Sequence, residues 1–380
     1  MEIGESVAVP ATPPATDVVV HARLQIKSIS FSGNHVVEQD TRGDFAPPEW
    51  VRGRRRQWPI CYTRNANVRL TARFEVVGAP SATETVSIRG TTSLAGSTLE
   101  WTGSVSVAPD AVEVVTAEIT SSGTLPNHVA YFQRMTTAWE AQPPSEEWSG
   151  AGNSNHLVYL TLGDPQGTPA YWTLLHISCQ NAHGATQPTD LVENTYRSFP
   201  GRSLTRRRDS VGLTYWNPNT TNVTNTRELL ARADGSGQCG SWSEFLIDMY
   251  KVHGITAGKK VLVVRNVPVW RSSSIGFLVK NWDFVGAGSL PAPFTHQMWV
   301  ECVERPGVPG QRNPNPPPAF YNHFIVKCFN KLYDPSYGSG PIDTQSSWEN
   351  SSIDGLFSGG ACGYPKSANT GTNLLEFHPI

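Results

Sequence analysis

The chain is 380 residues long, with 30 basic against 32 acidic side chains and a formal net charge of -2. Charged residues make up only 16%, and 33 glycines and 29 prolines mark a loop-rich chain that still falls short of the composition of disorder. A chain of this length can bury a sizeable core and predicts two or three domains. Balanced charge argues against nucleic acid as the main partner, and no apolar run reaches the ~18 residues of a membrane span. The start, Met1-Glu2-Ile3-Gly4-Glu5, lacks the basic and apolar regions of a signal peptide. The expectation is a protein that stays in the cytoplasm or leaves without a cleavable signal, an exported effector among the alternatives.

Residues 1–16 are Pro/Ala/Thr-rich and read as a flexible lead-in. From residue 17 to about 145, short runs rich in Val, Ile, Thr and aromatics alternate with Gly, Pro, Ser and Asp punctuation. The clearest, ANVRLTARFEVV, has the period of two that places every second side chain on one face. Six or seven such strands predict an all-β, immunoglobulin-like sandwich. AQPPSEEWSGAGNSN reads as a linker, which puts a second domain at 146–380. Within it NHLVYLTLG and AYWTLLHIS read as strands, PTDLVENTYRSF as a helix capped by Thr189 or Asp190, and TRELLARA as a short helix. The strongest helix follows Cys239, with Trp242, Phe245, Leu246, Met249 and Val252 at helical spacing and Gly254 placed to end it. Strands are predicted at KKVLVVRNV, HQMWVECV and NHFIVKCFN–KLYD. The Pro-rich run between the last two cannot be core strand.

Six cysteines are scattered without a CxxC pair, so neither a disulfide framework nor a zinc site is indicated. His176 and Cys179 lie close together without further ligands nearby, and no metal is expected. Cys302 and Cys328 lie on neighbouring predicted strands and could meet. Cys239 differs by position, because a thiol at a helix N-terminus sits in the positive end of the helix dipole, which favours the thiolate nucleophile. A buried cysteine packed beneath the helix is the plainer reading of position alone. His323 begins one predicted strand and Asp334 ends the next, so a hairpin would bring them to one face, where a carboxylate can hold an imidazole in one tautomer. The basic runs Arg52-Gly53-Arg54-Arg55-Arg56 and Arg206-Arg207-Arg208 read as solvated faces, with a phosphate or partner site as the alternative.

The run GQCGSWSEFLIDMYKVHGITAGKKVLVV resembles the nucleophile segment of the transglutaminase-like superfamily, and NHFIVKCFNKLYDPSYG resembles the part that follows, where a His starts one strand and an Asp-Pro-Ser/Thr ends the next. The resemblance covers about residues 226–340. It implies an α+β, papain-like domain behind the sandwich and a Cys-His-Asp triad carried by Cys239, His323 and Asp334. His296, in THQMWVECV, is a rival for the imidazole, but no Asp-Pro follows it closely. CGSW at 239–242 also resembles the papain motif, although there the nucleophile directly precedes the tryptophan and here Ser241 does. The backbone N–H of Cys239 is the first candidate for an oxyanion donor, with Gln238, Trp216 or Tyr215 as the second. The implied function is thioester acyl chemistry on peptide or glutamine amides, with a protein or peptide as substrate and no cofactor. A protease or amidase is favoured over a protein-glutamine transglutaminase. Only 46 residues follow Asp334, too few for the C-terminal barrels of animal transglutaminases, so calcium is not expected. A non-catalytic binding protein on a papain-like scaffold is the alternative of another class.

Overall fold

A computed structural model describes residues 19–217, 223–265, 276–279, 283–289, 298–303, 308–358, 361–364 and 375–380. Strand predominates over helix, 45% against 15%. In the first half the alternating runs become strands that bury alternate side chains. Asn67–Gly78 buries Val68, Leu70, Ala72 and Phe74 while the residues between them face outward. That strand pairs antiparallel with Arg23–Ser32, which carries Trp50–Val51 on its other edge; Glu113–Val115 and Ile119–Thr124 pair on the far side of Asn67–Gly78. A second sheet runs Pro59–Thr63, Ser149–Thr161, Ala130–Gln142, Glu84–Leu94, Ser97–Val107. The two sheets share one apolar core. At its centre Trp101 and Trp139 stack 6.4 Å apart, and the Trp101 indole N–H crosses between the sheets to donate to the Val68 carbonyl at 2.9 Å.

The segment expected as a linker is instead the turn and second arm of a hairpin. Ala130–Gln142 pairs with Ser149–Thr161 from Ala141 opposite Ser149 back to Ala130 opposite Leu160. The division expected at 145/146 therefore falls inside one sheet, and the sandwich extends to Thr161. The sequence misleads here because the return arm begins SGAGNS, whose polar side chains mostly face solvent and give no apolar alternation. AYWTLLHIS is likewise not a strand beyond Ala170–Tyr171. It is helix α1 (Trp172–Asn181), buried on nearly every side. A short run that is apolar all round carries no period to separate strand from helix.

The cap of α1 comes from the sandwich. The buried Asp40 carboxylate accepts the Thr173 backbone N–H at 2.8 Å and the Thr173 hydroxyl at 2.7 Å. Burial, only partly offset by these donors, raises the pKa of Asp40. Asp40→Ala strands both Thr173 donors, and a loss of about 2 kcal/mol in the urea unfolding free energy is expected.

Four more helices follow: α2 (Pro188–Tyr196), α3 (Thr226–Ala231), α4 (Cys239–Lys251) and α5 (Gln345–Ser352). Pro188 opens α2 after Gln187, so neither Thr189 nor Asp190 is its cap. Asn225 caps α3 by accepting the Glu228 N–H at 2.9 Å. α4 buries Trp242, Phe245, Leu246, Met249 and Tyr250, and Gly254 follows it at φ +77°. It packs against a five-stranded antiparallel sheet ordered Ser339–Ile342, Lys331–Asp334, Asn322–Cys328, Lys259–Arg265, Leu375–Pro379. A six-stranded sheet, Asp283–Ser289, Met298–Val303, Ala361–Tyr364, Ile353–Ser358, Gly276–Val279, Ala319–Phe320, lies beyond. The core around α4 runs without a break to Val37, Phe45, Cys61 and Tyr159 of the sandwich portion. Among the described residues no helix is long and apolar enough to cross a membrane.

Candidate active site

The chain reaches Cys239 along a fixed track. Ser236–Gly237 pairs in parallel with Thr214–Tyr215. The Trp216 N–H donates to the Gly237 carbonyl at 2.8 Å, and the Gln238 N–H donates to the Val223 carbonyl at 3.2 Å. The Gln238 carbonyl then accepts the first amides of α4, from Ser241 at 3.1 Å and Trp242 at 3.2 Å, and the Ser241 hydroxyl at 2.8 Å. Cys239 is thus the first residue of the helix, where an amide has no acceptor inside the helix. It is half-buried. A methyl group on Gly237 would collide with the Ser241 hydroxyl and come within 2.9 Å of Leu229 Cδ1. Gly237→Ala is expected to cost about 1–3 kcal/mol by overpacking this turn and to slow alkylation of Cys239, read by melting and by labelling rate.

His323 sits on Asn322–Cys328, the strand against which α4 packs, opposite Val263 of the next strand. Its strand and Lys331–Asp334 form a hairpin with Cys328 opposite Lys331. The turn is Phe329-Asn330, both at positive φ (45° and 62°). Across this hairpin His323 Nε2 and Asp334 Oδ2 are 2.9 Å apart, with both side chains at 3% exposure or less. The other carboxylate oxygen accepts the backbone N–H groups of Ser336 at 3.1 Å and Tyr337 at 3.4 Å, so the Asp-Pro-Ser-Tyr turn fixes the carboxylate. Tyr196 braces the turn from α2, its hydroxyl donating to the Asp334 carbonyl at 2.9 Å. Gln311, from the Pro-rich loop, donates through its side-chain amide to the Pro335 carbonyl at 3.0 Å.

The Cys239 side chain is close enough to the imidazole to act on it electrostatically. Burial opposes the imidazolium, but the charge and hydrogen bond of Asp334, together with the Cys239 side chain, outweigh it and raise the His323 pKa to about 10. His323 Nδ1 is buried and makes no hydrogen bond of ordinary geometry. With Nε2 committed to Asp334, Nδ1 is the ring nitrogen left for the thiol. The structure therefore brings Cys239, His323 and Asp334 together from three separate segments. Aromatic rings enclose the imidazole: Phe320 stacks on it at 5.0 Å, Trp348 lies nearly parallel at 6.5 Å, and Tyr337 and Tyr215 approach at 5.8 and 6.5 Å. A cavity of about 290 Å³ opens beside the His323–Asp334 pair, walled by Phe320, Tyr337, Trp348 and Arg202; Cys239 lies outside its lining.

Of the oxyanion candidates, Gln238 is half-buried at the start of α4, while Trp216 is half-buried, sits at φ +60° and packs against the same core as Cys239. Tyr215 is fully buried; burial first, then Tyr337, Cys239 and Asp334, hold its pKa well above the ordinary phenol value, so it keeps its proton. Trp242 is core, its indole N–H directed at the Thr214 carbonyl at 3.4 Å. His296 lies outside the described residues. Cys328 is a free thiol on the sheet of His323, whereas Met298–Val303, which carries Cys302, belongs to the other sheet. His176 Nδ1 lies 3.2 Å from the Tyr159 hydroxyl, and the Cys179 thiol is directed at the Leu160 carbonyl at 3.6 Å. Among the described residues no three His, Cys, Asp or Glu side chains converge as metal ligands.

Sequence reasoning missed Tyr337, Phe320 and Trp348 around the imidazole. Tyr337 left a trace in the Asp-Pro-Ser-Tyr turn and Phe320 stands three residues before His323, whereas Trp348 comes from a segment whose own pattern does not mention it. No family model, curated protein or solved structure matches the chain.

Proposed function

We propose that the protein is a cysteine-dependent hydrolase or acyltransferase acting on peptide or glutamine amide bonds, with a protein or peptide as substrate. The single observation that carries this reading is the buried His323–Asp334 pair placed against the first residue of α4, Cys239. The Cys239 sulfur attacks the amide carbonyl and the C–N bond breaks. His323, holding the thiol's proton, delivers it to the departing amine, leaving a thioester on Cys239. His323 then takes a proton from water, which hydrolyses the thioester to a carboxylate and regenerates the thiol; an amine in place of water gives a new amide. Asp334 keeps the imidazole oriented and stabilises its cation. The N–H of Cys239 is positioned to stabilise the oxyanion, with Trp216 or Gln238 as the second donor.

The resemblance to the transglutaminase-like superfamily supports a papain-like assignment of this half of the chain, and the aromatic wall around His323 supports acyl chemistry at an ion pair shielded from bulk water. A screen of peptide and glutamine amides, with water alone and with a labelled primary amine, tests the reaction. Wild type is expected to release acid or incorporate amine, and Cys239→Ala to do neither. Reactivity offers a test without a substrate. Burial raises the pKa of Cys61 and of Cys179, and that of Cys328 to about 12, whereas Cys239 is half-exposed beside an imidazolium. Iodoacetamide at pH 6 is expected to modify Cys239 first. Slow, equal labelling of all the cysteines would favour the non-catalytic scaffold.

A further inference from the structure

The two arginine runs, some 150 residues apart in sequence, meet in space. Arg56 Nη2 donates to the Arg208 carbonyl at 3.5 Å, and the Arg56 and Arg207 guanidinium carbons lie 4.6 and 5.4 Å from the ring centre of one residue, Trp172. Within each run some charges are already committed. Arg206 and Arg208 share Asp209, Arg52 pairs with Glu75, and Arg54 stacks on Trp58 while donating to the Pro48 and Glu49 carbonyls. Arg55, Arg56 and Arg207 pair with no carboxylate among the described residues. With Arg134 they line one open depression of about 670 Å³ between the sandwich and the helical portion.

Among the described residues no Asp or Glu lines this depression. Arg134 is steadied by Asn155, whose side-chain oxygen accepts its Nε–H at 3.0 Å, and Arg207 is anchored through its backbone N–H to the Thr173 hydroxyl at 2.8 Å. The Arg207 Nε is buried and without a hydrogen-bond partner. His156, also in the lining, adds no charge near neutral pH, because burial lowers its pKa to about 3. Four guanidiniums with no facing carboxylate repel one another. Each offers the planar fork that matches phosphate oxygens. A concave, compact site on a chain of net charge -2 fits a small polyanion better than a nucleic-acid strand, which calls for an extended basic face.

We propose that this depression binds a compact polyphosphate anion, the chemistry shared by inorganic tripolyphosphate and the phosphate tail of a nucleoside triphosphate. Three of its arginines come from the sandwich and Arg207 from the helical portion, so the bound anion clamps the two together. The site is independent of the chemistry at Cys239.

Titration calorimetry of the full chain with sodium tripolyphosphate at constant ionic strength tests it. One saturable site is expected, together with a raised melting temperature, and sulfate at equal ionic strength should give no saturable heat. Arg56→Gln and Arg134→Gln, both at exposed positions, and Arg207→Gln should each weaken binding at least tenfold; Arg73→Gln, on the other sheet, should leave it unchanged. Adenosine triphosphate binding as tightly as tripolyphosphate identifies the phosphate chain as the recognised group, and tenfold tighter binding identifies a nucleotide as the source. Absence of a saturable site overturns the proposal, as does equal affinity in wild type and the Arg56 and Arg134 variants. Tight binding of a single-stranded oligonucleotide that tripolyphosphate does not displace overturns it as well.

Discussion

Cys239→Ala is expected to reduce turnover of any amide substrate by roughly 10⁴-fold or more, the scale on which removing a covalent nucleophile acts in related triad chemistry. The fold should survive the change. Cys239 is half-exposed at the first position of α4, where alanine is a good helix former, so the urea midpoint should move by no more than about 0.5 kcal/mol equivalent. The distinguishing measurement is single-turnover kinetics with trapping of the thioester by mass spectrometry. Wild type should show an acyl adduct on the peptide containing Cys239, and the alanine variant none. Turnover that persists in Cys239→Ala at more than about a hundredth of the wild-type rate would mean that another group carries the chemistry.

Asp334→Asn is the second large effect. The carboxylate is buried, accepts two backbone amides and meets His323 Nε2, so the asparagine fits the space while removing the charge. The imidazole loses the partner that holds its tautomer and its cation, and kcat is expected to fall roughly 10³- to 10⁴-fold. Stability gives an independent readout. The folded-state pKa of His323, about 10, lies above the ordinary histidine value of 6.5, so the protonated imidazole stabilises the native state. That contribution, of order a few kcal/mol, is fully present below about pH 6.5 and is lost as pH rises toward 10. Wild type should therefore lose stability over this window by as much as about 1.4 kcal/mol per pH unit from this one proton. In Asp334→Asn burial acts on the imidazole without the carboxylate, and that slope should be much reduced. Urea unfolding of both proteins at pH 6, 8 and 9.5 measures the difference. Parallel curves would show that the pair does not hold the proton.

The Asp40 cap ties the two parts of the chain together. Helix α4, which opens at Cys239, packs against α1, and the first turn of α1 is held by a carboxylate from the sandwich. Loss of that cap should therefore be felt at Cys239 as well as in the melt.

What could be read directly was whatever leaves a local pattern. Alternation marked Asn67–Gly78 and its neighbours, because a half-buried strand must place an apolar side chain at every second position. The apolar stripe from Trp242 to Val252 marked α4 for the matching reason at helical spacing, and the same run put Cys239 at its first residue. His323 and Asp334 were legible because a tight hairpin joins residues only 11 apart. Where that local signal failed, the structure had to decide. The polar return arm from Ser149 has its pattern erased by solvent on one face, and α1 has no period because it is buried on nearly every side. The contacts that complete the site span far longer separations. Trp348 and Tyr215 reach the imidazole from other segments, Asp40 caps a helix 133 residues away, and Arg56 and Arg207 share one tryptophan. Residue type and spacing determined the elements, the place of Cys239 at a helix start and the pairing of His323 with Asp334. The enclosure of that trio and the convergence of the arginines were decided only by packing, because contacts between distant segments leave no period in either segment's own sequence.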